Sequence, residues 1–345
     1  MTKILTTIGP VSEGRYFKSF LEKSDLVRLN FSHNTIDWHK KKIQKVKNIF
    51  PKKLILVDIP GVKPRTLNFQ TIRIKKGQKV NFGFKNKKIK GIINLSNPLP
   101  EIKTLPKYFS LSDGTFEFKF LGLKNNILSG ISKQDFTLFP KKGLNIPMSN
   151  YNDKLQEKLY NKFLNKIKHL KFDCIGLSFI QNYKVLRKLK KKFPSLLFIS
   201  KIENLSGYTN RKEIISYSDA VMIDRGDLAA EVGITNLSEY SEKIIMDCKI
   251  QGKPIIIATE NLNSLINGKT PTKSDVVNID YYLTKKVDYL MLSDETATSK
   301  NWSNTVNWLH NYLSKKSRLP SVSKTLSIEE IIKNLKNQTV VVFSK

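Results

Sequence analysis

Short, continuous runs of Ile, Val and Leu recur along the chain, separated by longer lysine-rich stretches whose apolar residues return every third or fourth position. Continuous apolar runs suit strands buried on both faces, and a 3.6-residue period suits the helices that would cover them. The pattern predicts strands at 3 to 8, 26 to 31, 53 to 58, 173 to 179, 196 to 202, 219 to 224, 254 to 259 and 287 to 293. Helices are expected at about 12 to 22, 36 to 49, 151 to 170, 182 to 192, 207 to 217, 236 to 252, 273 to 285 and 303 to 315. Eight βα units in series predict an α/β fold of the (β/α)8 TIM-barrel type, because doubly wound sheets seldom need so many.

One interval interrupts the series. Between 65 and 142 the apolar residues alternate with polar ones and are punctuated by Gly and Asn, as in TIRIKKGQKVNFGF and GTFEFKFLGL, which predicts an antiparallel β-barrel module after the third strand. The expected division is a catalytic barrel over 1 to 64 and 143 to 315, an inserted β lid over 65 to 142, and a C-terminal remnant over 316 to 345. A module inserted at the C-terminal end of a barrel strand would overhang the face that carries the chemistry in such barrels. The remnant is read as one amphipathic helix and one strand at 339 to 343, whose unpaired edge invites pairing across a homodimer.

Composition narrows the class. A chain of 345 residues with 40% apolar and 26% charged residues can bury a large core, so a small module and global disorder are excluded. No run approaches eighteen apolar residues and no signal-peptide h-region follows the N-terminus, so a soluble cytoplasmic protein with no membrane partner is expected. Cys174 and Cys248 lie far apart without metal-ligand spacing and are read as buried thiols. The net charge of +31 invites a nucleic-acid reading, but the lysines fall on helical stretches without interleaved aromatics. A generically basic surface is expected, with no dedicated nucleic-acid site.

Polar residues at the C-terminal ends of barrel strands are the candidates for chemistry. Those ends carry Arg28, Asn30 and Ser32, then Asp58, Ser178, Lys201 with Glu203, Asp224 with Arg225 and Asp227, Thr259 with Glu260, and Ser293 with Asp294 and Glu295. Glu203 and Asp227 suit a hard divalent ion that takes oxygen ligands. Lys201, on the same side of its strand as Glu203, could neutralise charge developing on a transferring group, and Arg28 suits a phosphate or carboxylate. A single lysine or glutamate at a strand end is usually a salt bridge, but seven of the eight ends deliver ionic or hydroxyl groups to one mouth. The P-loop-like INGKT at 266 to 270 lacks the required first glycine, and His39, His169 and His310 read as surface residues of helices.

These residues carry a resemblance. TTIGP at 6 to 10, RLNFSH at 28 to 33, KKGLNIP at 141 to 147, KIEN at 201 to 204, SDAVMIDRGDLAAEV at 218 to 232 and MLSDETA at 291 to 297 together resemble pyruvate kinase, in the family's order and across residues 1 to 310. The resemblance implies transfer of phosphoryl from phosphoenolpyruvate to ADP, giving pyruvate and ATP, with Mg2+ or Mn2+ as cofactor. It implies that Glu203 and Asp227 hold that metal, that Lys201 and Arg28 meet the phosphoryl group, and that Thr259 stands near the enolate carbon. The backbone of Arg225, Gly226 and Asp227 matches the amides that hold the substrate carboxylate, and His33, Arg65 and Lys142 match the nucleotide side. Asn30, Ser32, Asp58 and the carbonyl of Ile59 match a monovalent-cation site.

The chain departs from the family pattern at several positions. Pro60 precedes Gly61 where one branch has lysine, and Lys63 replaces a glutamate, so a fixed ammonium is expected to stand in for K+, which is then not required. Asp224 replaces alanine, Glu260 glutamine, Asp294 glycine, and Gln181 a frequent arginine. The C-terminal effector domain is expected to be nearly missing, and with it any sugar-phosphate activation. Two other readings stay open: a phosphoenolpyruvate or 2-oxo acid enolate enzyme on the same barrel that does not use ADP, and an inactive barrel serving as a basic binding protein.

Overall fold

The computed structural model of the chain describes residues 1–85, 91–102, 104–316 and 327–333. Eight parallel strands, Lys3–Thr7, Leu26–Asn30, Leu54–Ile59, Cys174–Leu177, Leu197–Ile202, Ala220–Asp224, Ile255–Ala258 and Tyr289–Leu292, close into a barrel in chain order. The eighth strand pairs with the first from Lys3↔Tyr289 to Thr6↔Leu292, so the barrel has no free edge. Each strand lies within two residues of the run that predicted it, because continuous burial on both faces leaves little ambiguity about where a strand runs.

The outer helices are Phe17–Lys23, Ile36–Ile49, Asp153–Ile167, Tyr183–Lys192, Arg211–Tyr217, Leu237–Ile250, Lys273–Thr284 and Trp302–Lys316. Their starts are locally encoded: Thr35 and Asn152 accept from backbone amides three residues on, and Thr272 with Asp275 forms a reciprocal capping box. The helix expected at 207 to 217 is divided at Asn210 into Leu205–Thr209 and Arg211–Tyr217. Among the described residues four short helical segments escape the periodicity, Arg225–Val232, Ile234–Asn236, Asn263–Ile266 and Asp294–Thr298. They are too short, and the first and last too charged, to display an apolar stripe.

Two cores follow from strand alternation. Side chains pointing outward, such as Val27, Val57, Ile175 and Ile223, pack under the helices. Those pointing inward, including Leu5, Leu26, Leu56, Ile199, Met222 and Tyr289, fill the barrel axis, and Ile328 and Ile332 join them from the C-terminal segment. Lys3 Nζ reaches Glu329 Oε2 at 2.6 Å and the Tyr289 hydroxyl donates to the same oxygen at 3.0 Å, so residues 327–333 are tied to the N-terminal floor of the barrel. The strand expected at 339 to 343, with its proposed dimer edge, lies outside the described residues.

The insert is a second β unit with its own core of Phe82, Phe109, Phe118, Leu128 and Leu144. Its main sheet runs in the order Leu144–Asn145, Tyr108–Leu111, Phe116–Lys124, Ile127–Ser132, Lys79–Phe84 and Ile92–Leu95. The last pair is parallel, a departure from the all-antiparallel expectation. Arg65 bridges Gly143 and Thr66 bridges Leu95, so one segment ties both edges of the sheet and closes it. Pairing continues past residue 142: Leu144–Asn145 belongs to the main sheet, and Ser149–Asn150 pairs with Glu101–Ile102.

Both cysteines are buried and free. The expectation that His39 is a surface residue is wrong. Its ring is 1% exposed, stacks on Phe31 with centroids 3.8 Å apart, and its Nε2 lies 2.8 Å from the His33 carbonyl oxygen. A histidine on the apolar stripe of an amphipathic helix gave that placement away, since helix position outranks residue type. Among the described residues no helix is long and apolar enough to cross a membrane.

Candidate active site

Strand alternation also builds the site. The inward face of the second strand reads Leu26, Arg28, Asn30, the third Leu56 and Asp58, the fifth Ile199, Lys201 and then Glu203, and the sixth Ala220, Met222, Asp224. Each strand is therefore apolar at the floor and ionic at the mouth, and one turn of the barrel assembles a charged ring.

At the centre of that ring is Lys201, 5% exposed. Its Nζ lies 3.1 Å from Glu203 Oε2, 3.1 Å from Asp224 Oδ2 and 3.4 Å from Asp58 Oδ2. Burial disfavours the ammonium, but Asp58, Glu203 and Asp224 outweigh it and hold the pKa well above the ordinary lysine value. Arg28 grips Asp58 Oδ2 through Nε and Nη2, each at 2.8 Å, and reaches Thr7 and Asp294 through Nη1 at 3.0 and 3.4 Å. Asp58 is fully enclosed; burial pushes its pKa up, yet Lys201 and Arg28 bring it below the usual carboxylate range.

A second ionic chain descends from the insert. Lys63, 4% exposed, pairs with Asp113 at 2.5 Å and with Asp227. Asn145 donates to Asp227 Oδ1 at 3.0 Å and to Glu231 Oε1 at 3.2 Å. Burial, and next the Asp113 charge, push the Asp227 carboxyl up to about 7, and burial pushes Glu231 up to about 8. Gly143 makes the chain possible, since a Cβ there would collide with the Lys63 stem. Asp113 and Gly114 form the insert's turn over the mouth, and Gly114 packs toward Ala230 of the helix that carries Asp227.

Thr259 sits in the left-handed region at φ +63°, a conformation that strains a β-branched residue by about 1–3 kcal/mol. The surroundings over-determine it. Ser293 Oγ accepts from Thr259 N at 3.0 Å, Thr259 Oγ1 donates to the Ala258 carbonyl at 2.6 Å, and Gly226 N donates to that same Oγ1 at 3.0 Å. The Arg225 side chain turns away from the mouth and donates to the carbonyls of Ala258 and Thr259 and to Asn261 and Asn278. Its guanidinium thus braces the bend, and only its backbone is left to face the site.

Two contiguous cavities occupy the mouth. The deeper, about 160 Å3, is lined by Arg28, Asn30, Ser32, His33, Lys63, Arg65, Lys201, Glu203, Asp224, Asp227 and Thr259 among others. The outer, about 410 Å3, shares Asn30, His33, Arg65, Asp113, Asp294 and Glu295 with it and adds Lys141 and Lys142. Of the residues expected at the site, Asp58, Ile59, Arg225 and Gly226 stand behind the walls. The four cation-type residues are engaged within the protein: Asn30 donates to Asp294 Oδ2 at 2.7 Å, Ser32 N donates to Asn30 Oδ1 at 3.0 Å, the Ile59 carbonyl accepts from Ser178 N at 3.4 Å, and Asp58 is held as above. Lys63 makes its ion pairs with Asp113 and Asp227 and with none of those four.

Asp113, Asn145 and Glu231 were missed by sequence reasoning. Asn145 lies in the stretch at 141 to 147, and Glu231 follows Asp227 by four residues on one helix, a spacing that shares a face. Asp113 had no signal beyond a turn.

One oxygen each from Glu203, Asp224 and Asp227 lie within 4.8 Å of one another. Glu203 Oε1 accepts from Phe179 N at 2.6 Å, whereas the buried Oε2 faces the Lys201 ammonium at 3.1 Å. A convergent set of three hard carboxylate oxygens, with a single ammonium between two of them, fits a divalent cation such as Mg2+ or Mn2+.

Residues 1–306 match the family model described as the pyruvate kinase barrel domain. The chain belongs to the pyruvate kinase family. It is 32% identical over 319 residues to the pyruvate kinase of Thermococcus litoralis, covering 87% of this chain and 66% of that protein. With the pyruvate kinase of Clostridium perfringens the identity is 30% over 317 residues, covering 86% and 66%. With the cytosolic isozyme of Nicotiana tabacum it is 28% over 319, covering 86% and 62%. The chain thus spans just under two thirds of the length of these curated relatives. Of its departures from the pyruvate kinase pattern, Asp224 and Asp294 line the deeper cavity, Glu260 is exposed outside it, and Gln181 ties Tyr151 to Asp153 at the exit from the insert.

Proposed function

We propose that the protein is a magnesium-dependent phosphotransferase that moves the phosphoryl group of phosphoenolpyruvate to ADP, releasing pyruvate and ATP in the cytoplasm as a step of glycolysis. The observation that carries this reading is Lys201, a fully charged ammonium sealed among Glu203, Asp224 and Asp58 beside Arg28 at the floor of a cavity. Phosphoryl transfer asks a protein chiefly for positioned cations and in-line geometry, and this ring supplies them.

In this reading Lys201 and Arg28 bind the phosphoryl oxygens, and the charge they neutralise grows as the bond to the enol oxygen breaks. Glu203 and Asp227 would hold the divalent cation, which when bound shields the phosphate charges. The backbone of Arg225 to Asp227, at a helix N-terminus, orients the substrate carboxylate. Thr259, held by its neighbours in a strained bend, stands on the side from which the enolate carbon takes its proton. His33, Arg65 and Lys142, around the outer cavity, take the nucleotide. That contiguous outer cavity favours a reaction with ADP over one without it.

The test is pyruvate formation from phosphoenolpyruvate, with and without ADP and Mg2+. Turnover that needs both supports the proposal. Pyruvate formed equally fast without ADP, or no turnover with both present, overturns it.

A further inference from the structure

Asp224 has no task in the chemistry just described, yet it is 7% exposed and stands at the head of the barrel axis. It precedes the helix Arg225–Val232 at the N-cap position but makes no capping hydrogen bond. Among the described residues its one ion pair is with Lys201, at 3.1 Å. Its carboxylate falls within 4.8 Å of oxygens of both Glu203 and Asp227, and one cation, the Lys201 ammonium, lies 3.1 Å from both Asp224 Oδ2 and the buried Glu203 Oε2. The wider setting has the same sign. The chain carries a net charge of +31, but six carboxylates against four Lys and Arg side chains line the deeper cavity.

We infer that Asp224 is a third carboxylate ligand of the divalent-cation site, which tightens this protein's hold on its metal in the absence of phosphorylated substrate. The inference rests on the metal-assisted reading above. A site with two carboxylates leans on substrate oxygens and water to complete its ligand set, and each added carboxylate tightens binding of a hard cation. With three, side chains and water complete the ligand set without substrate. Lys201 is the counterpart: in the metal-free protein its ammonium occupies the negative centre of Glu203 and Asp224, and a divalent cation there displaces it toward the cavity. The four-carbon lysine stem allows that movement without backbone change.

The experiment is a titration of the full chain with Mn2+ in the absence of phosphoenolpyruvate and ADP, read from the electron paramagnetic resonance signal of free Mn2+. One tight Mn2+ per chain is expected. Asp224→Ala and Asp224→Asn should each weaken it by about tenfold or more, in line with the effect of ligand charge on hard-cation sites. Asp294→Asn, at the same mouth but outside the trio, should change it by less than about twofold, as a screened charge would. Asp224→Asn preserves shape, so it reports even if the alanine variant fails to fold, and thermal melts check both. Mn2+ affinity in both Asp224 variants within twofold of the parent overturns the inference and leaves Asp224 a counter-ion of Lys201. A loss in Asp294→Asn as large as in Asp224→Asn also overturns it, as a field effect. Glu203→Gln separates this from the underlying reading. If it abolishes Mn2+ binding while the Asp224 variants do not, only the third ligand falls; if it too leaves binding unchanged, the metal reading itself fails.

Discussion

Replacing Lys201 with methionine removes one charge and keeps nearly the whole volume, so its consequences can be worked from the contacts. Four groups lose a neighbour: Glu203 and Asp224 at 3.1 Å, Asp58 and the Ser178 hydroxyl at 3.4 Å. Asp58 keeps both donors of Arg28, so its cost is small. Glu203 and Asp224 are left facing each other without a cation. Breaking a buried ion pair by deleting one partner costs about 3–5 kcal/mol. Here the loss falls at or below the low end, because burial already drives the Glu203 carboxyl well above its usual range and lets it protonate. The effect on turnover is larger in kind. Removing a preorganised group that stabilises developing transition-state charge costs about a hundred- to a thousandfold, or about 2.7–4 kcal/mol. The assay is steady-state pyruvate formation at saturating phosphoenolpyruvate, ADP and Mg2+, with circular dichroism melts to establish that the variant is folded. A folded Lys201→Met variant with turnover within about threefold of the parent would refute the role given to Lys201, since a mere structural ion pair predicts that outcome.

Glu231, pushed up to about 8 by burial, keeps a proton in the native state that the unfolded chain, with an ordinary value of 4.5, has lost. The native state then binds more protons between those values, so stability falls as pH rises from about 4.5 to 8. Urea unfolding of metal-free Glu231→Gln should show a weaker pH dependence across that window than the parent, with its relative gain at pH 8; parallel curves would count against the assignment. For the monovalent cation, turnover in tetramethylammonium buffer free of Na+ and K+ should equal turnover with K+ at matched ionic strength, because Lys63 supplies a buried fixed charge beside Asp227. A severalfold rise on adding K+ would end that proposal, and Lys63→Glu should install the requirement. At the floor of the barrel, Ile332→Ala should lower stability by about 2–5 kcal/mol and shift the urea midpoint, with turnover of the folded enzyme unchanged. An unaltered midpoint would mean that residues 327–333 do not seal the barrel.

The barrel was legible in the sequence because each strand is an unbroken apolar run bounded by turns, and eight such runs alternating with amphipathic helices admit few architectures. The ionic mouth was legible for the same reason. In a parallel strand of known direction the polar residue at the C-terminal end must face the mouth, so Arg28, Lys201, Glu203, Asp227 and Thr259 could be gathered without a contact being known. Distance in the chain hid the rest. Lys63, Asp113 and Asp227 are separated by 50 and 164 positions from first to second and first to third, and only the fold of the insert over the mouth joins them into one ionic chain. The direction of a side chain was equally a tertiary decision: in sequence Arg225 stands among the ionic residues of the strand ends, with only its backbone expected at the substrate, and the strained bend at Thr259 offers its guanidinium two carbonyls and turns it away. Asp224 illustrates both sides. Its position on the barrel axis follows from the alternation of a strand, which is local, whereas its approach to Glu203 and Lys201 comes from the register of two neighbouring strands, Lys201↔Met222 and Ile202↔Ile223, which is fixed only when the sheet closes on itself.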